Sequence, residues 1–334
     1  MTLQFHSSSS SSARHAGSEL GGALLGRQVS GSTPDWPIQA ICAPLLGADM
    51  ASVQETWLRA SPSRHGVSEG IAWRRAGDTL FGVIDLDEAE FAGIADRPPL
   101  QAASEAAYDR IFRLLETQKL PHLWRVWNYM ADINAETHGL ERYRQFNVGR
   151  QDAFIAHHRS AIGNVPAACA IGLGGGPLSI AFLAGSVPTV PFENPRQVSA
   201  YLYPAEYGPR APTFSRAALV HPPGQELLFV SGTASIVGHR TVHPDDVAGQ
   251  CREAMANIAA VVAEVNRAAR SRPFALDELV YRVYVRHAAH FPVIRDTLAP
   301  RVGGADVLYV QADICRADLL LEIEAMASHS LRND

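Results

Sequence analysis

The chain has 334 residues, 47% hydrophobic and 19% charged, enough apolar surface for one large domain or two ordinary ones and too much for a disordered chain. A formal net charge of −5 gives no footprint for nucleic acid or an anionic membrane, so an anionic substrate would need a local cluster of arginines. The four cysteines (Cys42, Cys169, Cys251 and Cys315) contain no CxxC pair, which excludes a zinc knuckle and a disulfide scaffold, and no apolar run reaches the roughly 18 residues that span a bilayer.

Residues 1–33 are rich in Ser, Gly and Ala, with a serine run from Ser7 to Ser12. They lack a signal-peptide core and offer too little apolar surface to offset their ordering entropy. A disordered tail on a cytoplasmic protein is expected. After Ile38, short apolar runs alternate with Gly and Pro, and residues 71–73 and 79–84 read as strands. Tyr108, Ile111, Phe112 and Leu115 form one helical stripe, with Ser104 as the expected N-cap. Residues 122–129 read as a strand, 140–158 as a helix, and 167–183 as two strands joined at a glycine cluster.

Residues 193–216 are dense in Tyr, Arg and Pro without a period, and read as an ordered connecting loop. Beyond it the strand and helix order returns. Residues 227–230 are a strand, and His243-Pro244-Asp245-Asp246 opens a helix whose buried face is Val247, Cys251, Met255, Ile258, Val262 and Val265. Residues 279–286, 307–314 and 319–323 read as strands and 291–298 as a short helix. Strands interleaved with helices on one side imply an α+β fold with a mixed sheet. The element order divides the chain into the tail, residues 34–190 and residues 191–330, the first unit a diverged copy of the second.

Several signatures fail. The loop from Gly172 to Pro177 has proline where a dinucleotide loop needs its third glycine, there is no GxxxxGK[ST] or GxSxG motif, and His157-His158 lack an HExxH context. No metal and no cofactor are expected.

Four stretches, LFVSGTA (228–234), QCREAMANI (250–258), YRVYV (281–285) and LEIEA (321–325), resemble in order and spacing the RidA (YjgF) family. Three longer blocks, WRVWNYMADIN (124–134), ENPRQVSAYLYP with YGPR following (193–204 and 207–210) and CRADLLLE (315–322), narrow the resemblance to chorismatases. It implies a RidA/YjgF-like, chorismate mutase-like fold in two related halves, with a catalytic C-terminal domain that releases pyruvate from chorismate. RidA deaminases carry an arginine where Val307 stands here, which speaks against a RidA-like imine deaminase or ligand-binding protein.

Glu322 matches the family's catalytic glutamate and is the expected general acid; Glu324 shares its strand face, where a like charge would help keep it protonated. A solvated edge strand with two surface acids is the alternative. Arg196, Arg210 and Arg316 are the candidate carboxylate binders, with Tyr201 and Tyr207 against the ring. Cys315 and Gly232 resemble the members that make 3-hydroxybenzoate by internal displacement, a further subgroup making 4-hydroxybenzoate as well. Hydrolytic members, which give 3,4-dihydroxycyclohexa-1,5-dienoate, carry a small apolar residue at the cysteine position. RidA proteins form trimers with sites near subunit interfaces, so a homotrimer is expected, or a monomer if the N-terminal unit replaces those neighbours.

Overall fold

The computed structural model describes residues 2–8, 17–27, 35–47, 51–94 and 96–331. Its fold is α+β, two mixed sheets with a helix pair on the outer face of each. The first sheet runs, in spatial order, Ala167–Leu173, His122–Ala131, Leu178–Gly185, Thr79–Leu86, Ile71–Ala76 and Ser63–Ser68. Its outer face packs on α1 (Pro99–Gln118) and α2 (Arg142–Ala156) through Tyr108, Ile111, Phe112, Phe146 and Phe154.

The second sheet runs Thr189–Phe192, Ala217–Val220, Gln225–Thr233, Leu321–Ser330, Val280–Val285, Val307–Gln311 and a two-residue strand Leu45–Leu46. Here α3 (Val247–Asn266) and α4 (Phe291–Val302) cover the outer face, with Cys251, Met255, Ile258, Val262 and Val265 buried against it.

Leaving Leu45–Leu46 aside, the two sheets have one topology. Three antiparallel strands lead to a helix, a strand, a second helix and a parallel strand. The last strand of each unit then inserts between its third and fourth strands. The inner faces meet in a shared core with Trp127, Tyr129, Phe229 and Tyr284.

Three local expectations are corrected. Pro99, with φ already helical, starts α1 ahead of Ser104, which lies inside the helix and donates its hydroxyl to Leu100 O at 2.6 Å. The segment His243–Asp246 precedes α3, and Asp246 caps it by accepting from Gly249 N at 2.8 Å.

The tail contains two strands. Leu3–Ser8 and Glu19–Gly26 join Ile38–Cys42 and Ser52–Arg59 in a small third sheet, and Leu3, Leu20 and Leu25 are buried in the shared core. Glycine there provides close approach: a Cβ at Gly22 would overlap the Glu55 carbonyl and one at Gly21 the Phe81 ring. Long-range partners supply the burial that the local sequence lacks. The remainder of the serine run, Ser9 to Ser12, lies outside the described residues.

Candidate active site

Alternation along Leu321–Ser330 turns Leu321, Ile323 and Ala325 toward the helices and places Glu322 and Glu324 on the inner face. The strand lies mid-sheet, and Glu322 is only 4% exposed. The neighbouring strand Gln225–Thr233 shifts register between Val230 and Thr233, and this bulge sets Gly232 against Glu322. A Cβ at Gly232 would overlap Oε1 of Glu322 and stand 2.6 Å from its Cδ.

Burial, and then the like charge of Glu324, push the Glu322 carboxyl up to about 8, against the opposing pull of Arg125 and Arg216. At neutral pH it holds its proton. Glu324 is paired: Arg125 and Arg282 form salt bridges with it, and Trp127 Nε1 donates to it at 3.2 Å. Cys315 Sγ lies 4.0 Å from Glu322 Oε2, and burial, reinforced by Glu322, pushes this thiol up to about 12. It is therefore a neutral side chain beside the acid and no nucleophile.

The acid stands in a cavity of about 240 Å³. Arg144, Arg150, Arg216 and Arg316 line it, against two acids, Glu141 and Glu322. With Glu141 occupied by Arg144 at 3.0 Å and Glu322 protonated, the lining is strongly positive. Arg316 lies 4.1 Å from the centre of the Tyr207 ring and 5.3 Å from that of Tyr203, and donates to His239 O at 2.9 Å. Arg216 donates to Tyr203 Oη at 2.8 Å and to Val198 O at 2.9 Å. Arg150, 2% exposed, donates to Asn147 Oδ1 at 2.8 Å. Arg150 Nε, Arg216 Nε and Arg316 Nη2 are buried without an acceptor among the described residues. The guanidinium groups that line the cavity suit an anionic ligand.

Of the residues expected from the sequence, Glu322, Cys315, Gly232, Tyr207 and Arg316 meet at this cavity. Arg196, Tyr201 and Arg210 are not in its lining. Arg196 is engaged by Glu253 at 2.6 Å and Asn257 at 3.1 Å, which pins the loop to α3. Arg210 reaches Asp152 at 3.3 Å, its side chain 45% exposed, and Tyr201 packs on the first half's core. The cavity instead takes Tyr203 and Arg216 from this region and Arg144 and Arg150 from α2. Arg150 carried a signal: it stands midway between Phe146 and Phe154 at spacings of four, on the buried stripe of its helix.

The raised carboxyl has a cost for folding. Its ordinary value is 4.5, so the stability tied to its proton is full below about pH 4.5 and is lost as pH rises to about 8. Glu322→Gln is expected to lack that decline and to exceed the wild type above pH 8 by on the order of a few kcal/mol. Thermal melts across this range check it; parallel curves for the two proteins would reject the assignment.

A family model described as "Chorismatase FkbO/Hyg5-like, N-terminal" matches residues 55–184. A chorismatase of Streptomyces rapamycinicus is 40% identical over 285 residues, 83% of this chain and 83% of its own. A 3-hydroxybenzoate synthase of Streptomyces hygroscopicus is 38% identical over 286 residues, 81% of this chain and 80% of its own. A chorismatase crystal structure matches with a TM-score of 0.87 at 35% identity and covers 98% of both chains.

Proposed function

The chain belongs to the chorismatase family, and on that premise we propose that it cleaves chorismate into pyruvate and 3-hydroxybenzoate, with Glu322 as general acid. The observation that carries this reading is a protonated carboxyl buried in an arginine-lined cavity. Chorismate is a dicarboxylate with an enol ether. Its carboxylates suit the guanidinium groups of Arg150, Arg216 and Arg316, and its ring the side chains of Tyr203 and Tyr207, all of which line the cavity.

Glu322 delivers its proton to the enolpyruvyl methylene carbon, which turns the ether into a good leaving group. The neighbouring ring hydroxyl, giving up its own proton, attacks the carbon that bears the ether; that C–O bond breaks, pyruvate leaves and an epoxide forms. The epoxide's older C–O bond then opens, the carbon that keeps the oxygen loses its hydrogen as a proton, and the ring becomes aromatic; the two protons released restore the hydroxyl and the Glu322 carboxyl. Chorismate thus equals pyruvate plus hydroxybenzoate, and no water is consumed. The hydrolytic route adds one water and gives a dihydroxycyclohexadienoate. The neutral Cys315 thiol fills the space next to Glu322 Oε2, which favours the internal nucleophile over solvent.

Incubating the purified protein with chorismate and measuring pyruvate and the ring product tests this. Equimolar pyruvate and 3-hydroxybenzoate are expected. Absence of pyruvate would reject the activity; a ring product heavier by one water would keep the acid and replace the displacement step. Cys315→Ala is expected to move the product mixture toward that heavier species with little change in melting temperature, as chromatography with mass detection would show. An unchanged mixture would remove Cys315 from product control.

A further inference from the structure

The acid strand is tied to the small third sheet, which lies outside both halves. Glu55, on Ser52–Arg59 and 5% exposed, forms a buried ion pair with Arg282. Arg282 stands directly opposite Glu324 in the strand register, its Nη1 3.1 Å from Glu324 Oε1. The same Nη1 donates to Tyr129 Oη at 2.8 Å and to Tyr284 Oη at 3.1 Å. Arg125 closes the chain on the far side of Glu324. Two guanidiniums thus face two carboxylates, with Glu322 as a third acid two residues along. The buried charges balance when Glu55 and Glu324 are ionised and Glu322 carries the proton.

We infer that Glu55 is a positioning residue for the acid: by sharing Arg282 with Glu324, it leaves Glu324 enough negative charge to keep the proton on Glu322. This rests on the reading of Glu322 as the proton donor. The groups that act on Glu322 or lie beside it are Glu324 on its own strand, Arg125 and Cys169 from the first sheet, Tyr284 opposite, Tyr143 from α2, Arg216, and Cys315 and Arg316 from the preceding turn. Burial, first among the causes, holds Cys169, Tyr284, Tyr143 and Cys315 above their ordinary values and hence neutral. Charge comes from Glu324, from the arginines and, farther round the cavity, from Glu141 in its pair with Arg144. Burial pushes the Glu55 carboxyl above its ordinary value and Glu324 adds to this, against the opposing pull of the Arg282 cation with which it is paired. Burial works to lower the Arg282 guanidinium, but Glu55, Tyr129, Tyr284 and Glu324 hold it well above its ordinary value, so it stays a cation.

With Glu55 neutral, Arg282 is left wholly to Glu324, whose push on Glu322 weakens. Glu322 then gives up its proton at lower pH, and turnover falls off earlier as pH rises. The test is the pH profile of kcat for chorismate cleavage in wild type, Glu55→Asp and Glu55→Gln. The alkaline limb is expected to move down in that order, by roughly half a pH unit or more for Glu55→Gln. If Glu55→Gln does not fold, Glu55→Asp, with its looser hold on Arg282, carries the test. A uniform loss of rate with an unmoved limb would mark a structural role and overturn the inference. The infrared carboxyl stretch of Glu322, identified by its loss in Glu322→Gln, follows the same titration without turnover. If wild type releases no pyruvate, the functional reading fails, and the infrared shift alone decides the role of Glu55.

Discussion

Glu322→Gln is expected to lower turnover by about 10²–10⁴-fold, the range a positioned general acid contributes. Glutamine has the size of the protonated glutamic acid and is likewise neutral, so the cavity keeps its shape and its charge. What is lost is the transferable proton. The loss should fall on kcat, with KM nearly unchanged, because the arginine lining that would hold the substrate carboxylates is untouched. Steady-state kinetics with chorismate as substrate would show this. Activity within a factor of about three of wild type would remove Glu322 from the proton-donor role.

Gly232→Ala should be the second most damaging change. The added methyl would overlap Glu322 Oε1 and crowd Cδ at 2.6 Å and Cγ at 3.2 Å, so the carboxyl must swing away. Gly232 sits on a bulged central strand of the second sheet, where the backbone has little freedom to yield. Displacing the acid by about 1 Å is expected to cost roughly 10²-fold in kcat. Overpacking would cost about 1–3 kcal/mol of stability. Kinetics and a denaturant midpoint measured on one preparation separate the two effects. Wild-type kcat in Gly232→Ala would show that the acid need not stand where it does.

The acid strand was legible because a period of two assigns a face to each residue without reference to the rest of the chain. Leu321 and Ile323 declared one side apolar, which left Glu322 and Glu324 on the other. The repeated unit was likewise legible from element order, since strands and helices with strong periods keep their identity whatever they pack against.

The arginines were harder to assign. Arg196, Arg210 and Arg216 are equivalent as letters in one irregular segment, and only tertiary partners distinguish them. Glu253 engages the first, Asp152 the second, and the third is turned by Tyr203 into the cavity lining. The third sheet was missed for a related reason. Gly21 and Gly22 look permissive in sequence, whereas in the fold they let Phe81 and the Glu55 backbone come close.

Both sides of the cavity come from one polypeptide. Arg150 and Tyr143 descend from the first half, Glu322 and Gly232 from the second. Dilution cannot part the arginines that α2 contributes from the acid on Leu321–Ser330. Each half is also freed from presenting the same side chains as its twin: on the inserted strand of the second sheet Glu322 stands opposite Tyr284 and Glu324 opposite Arg282, whereas on that of the first Ala181 stands opposite Trp127 and Leu183 opposite Arg125.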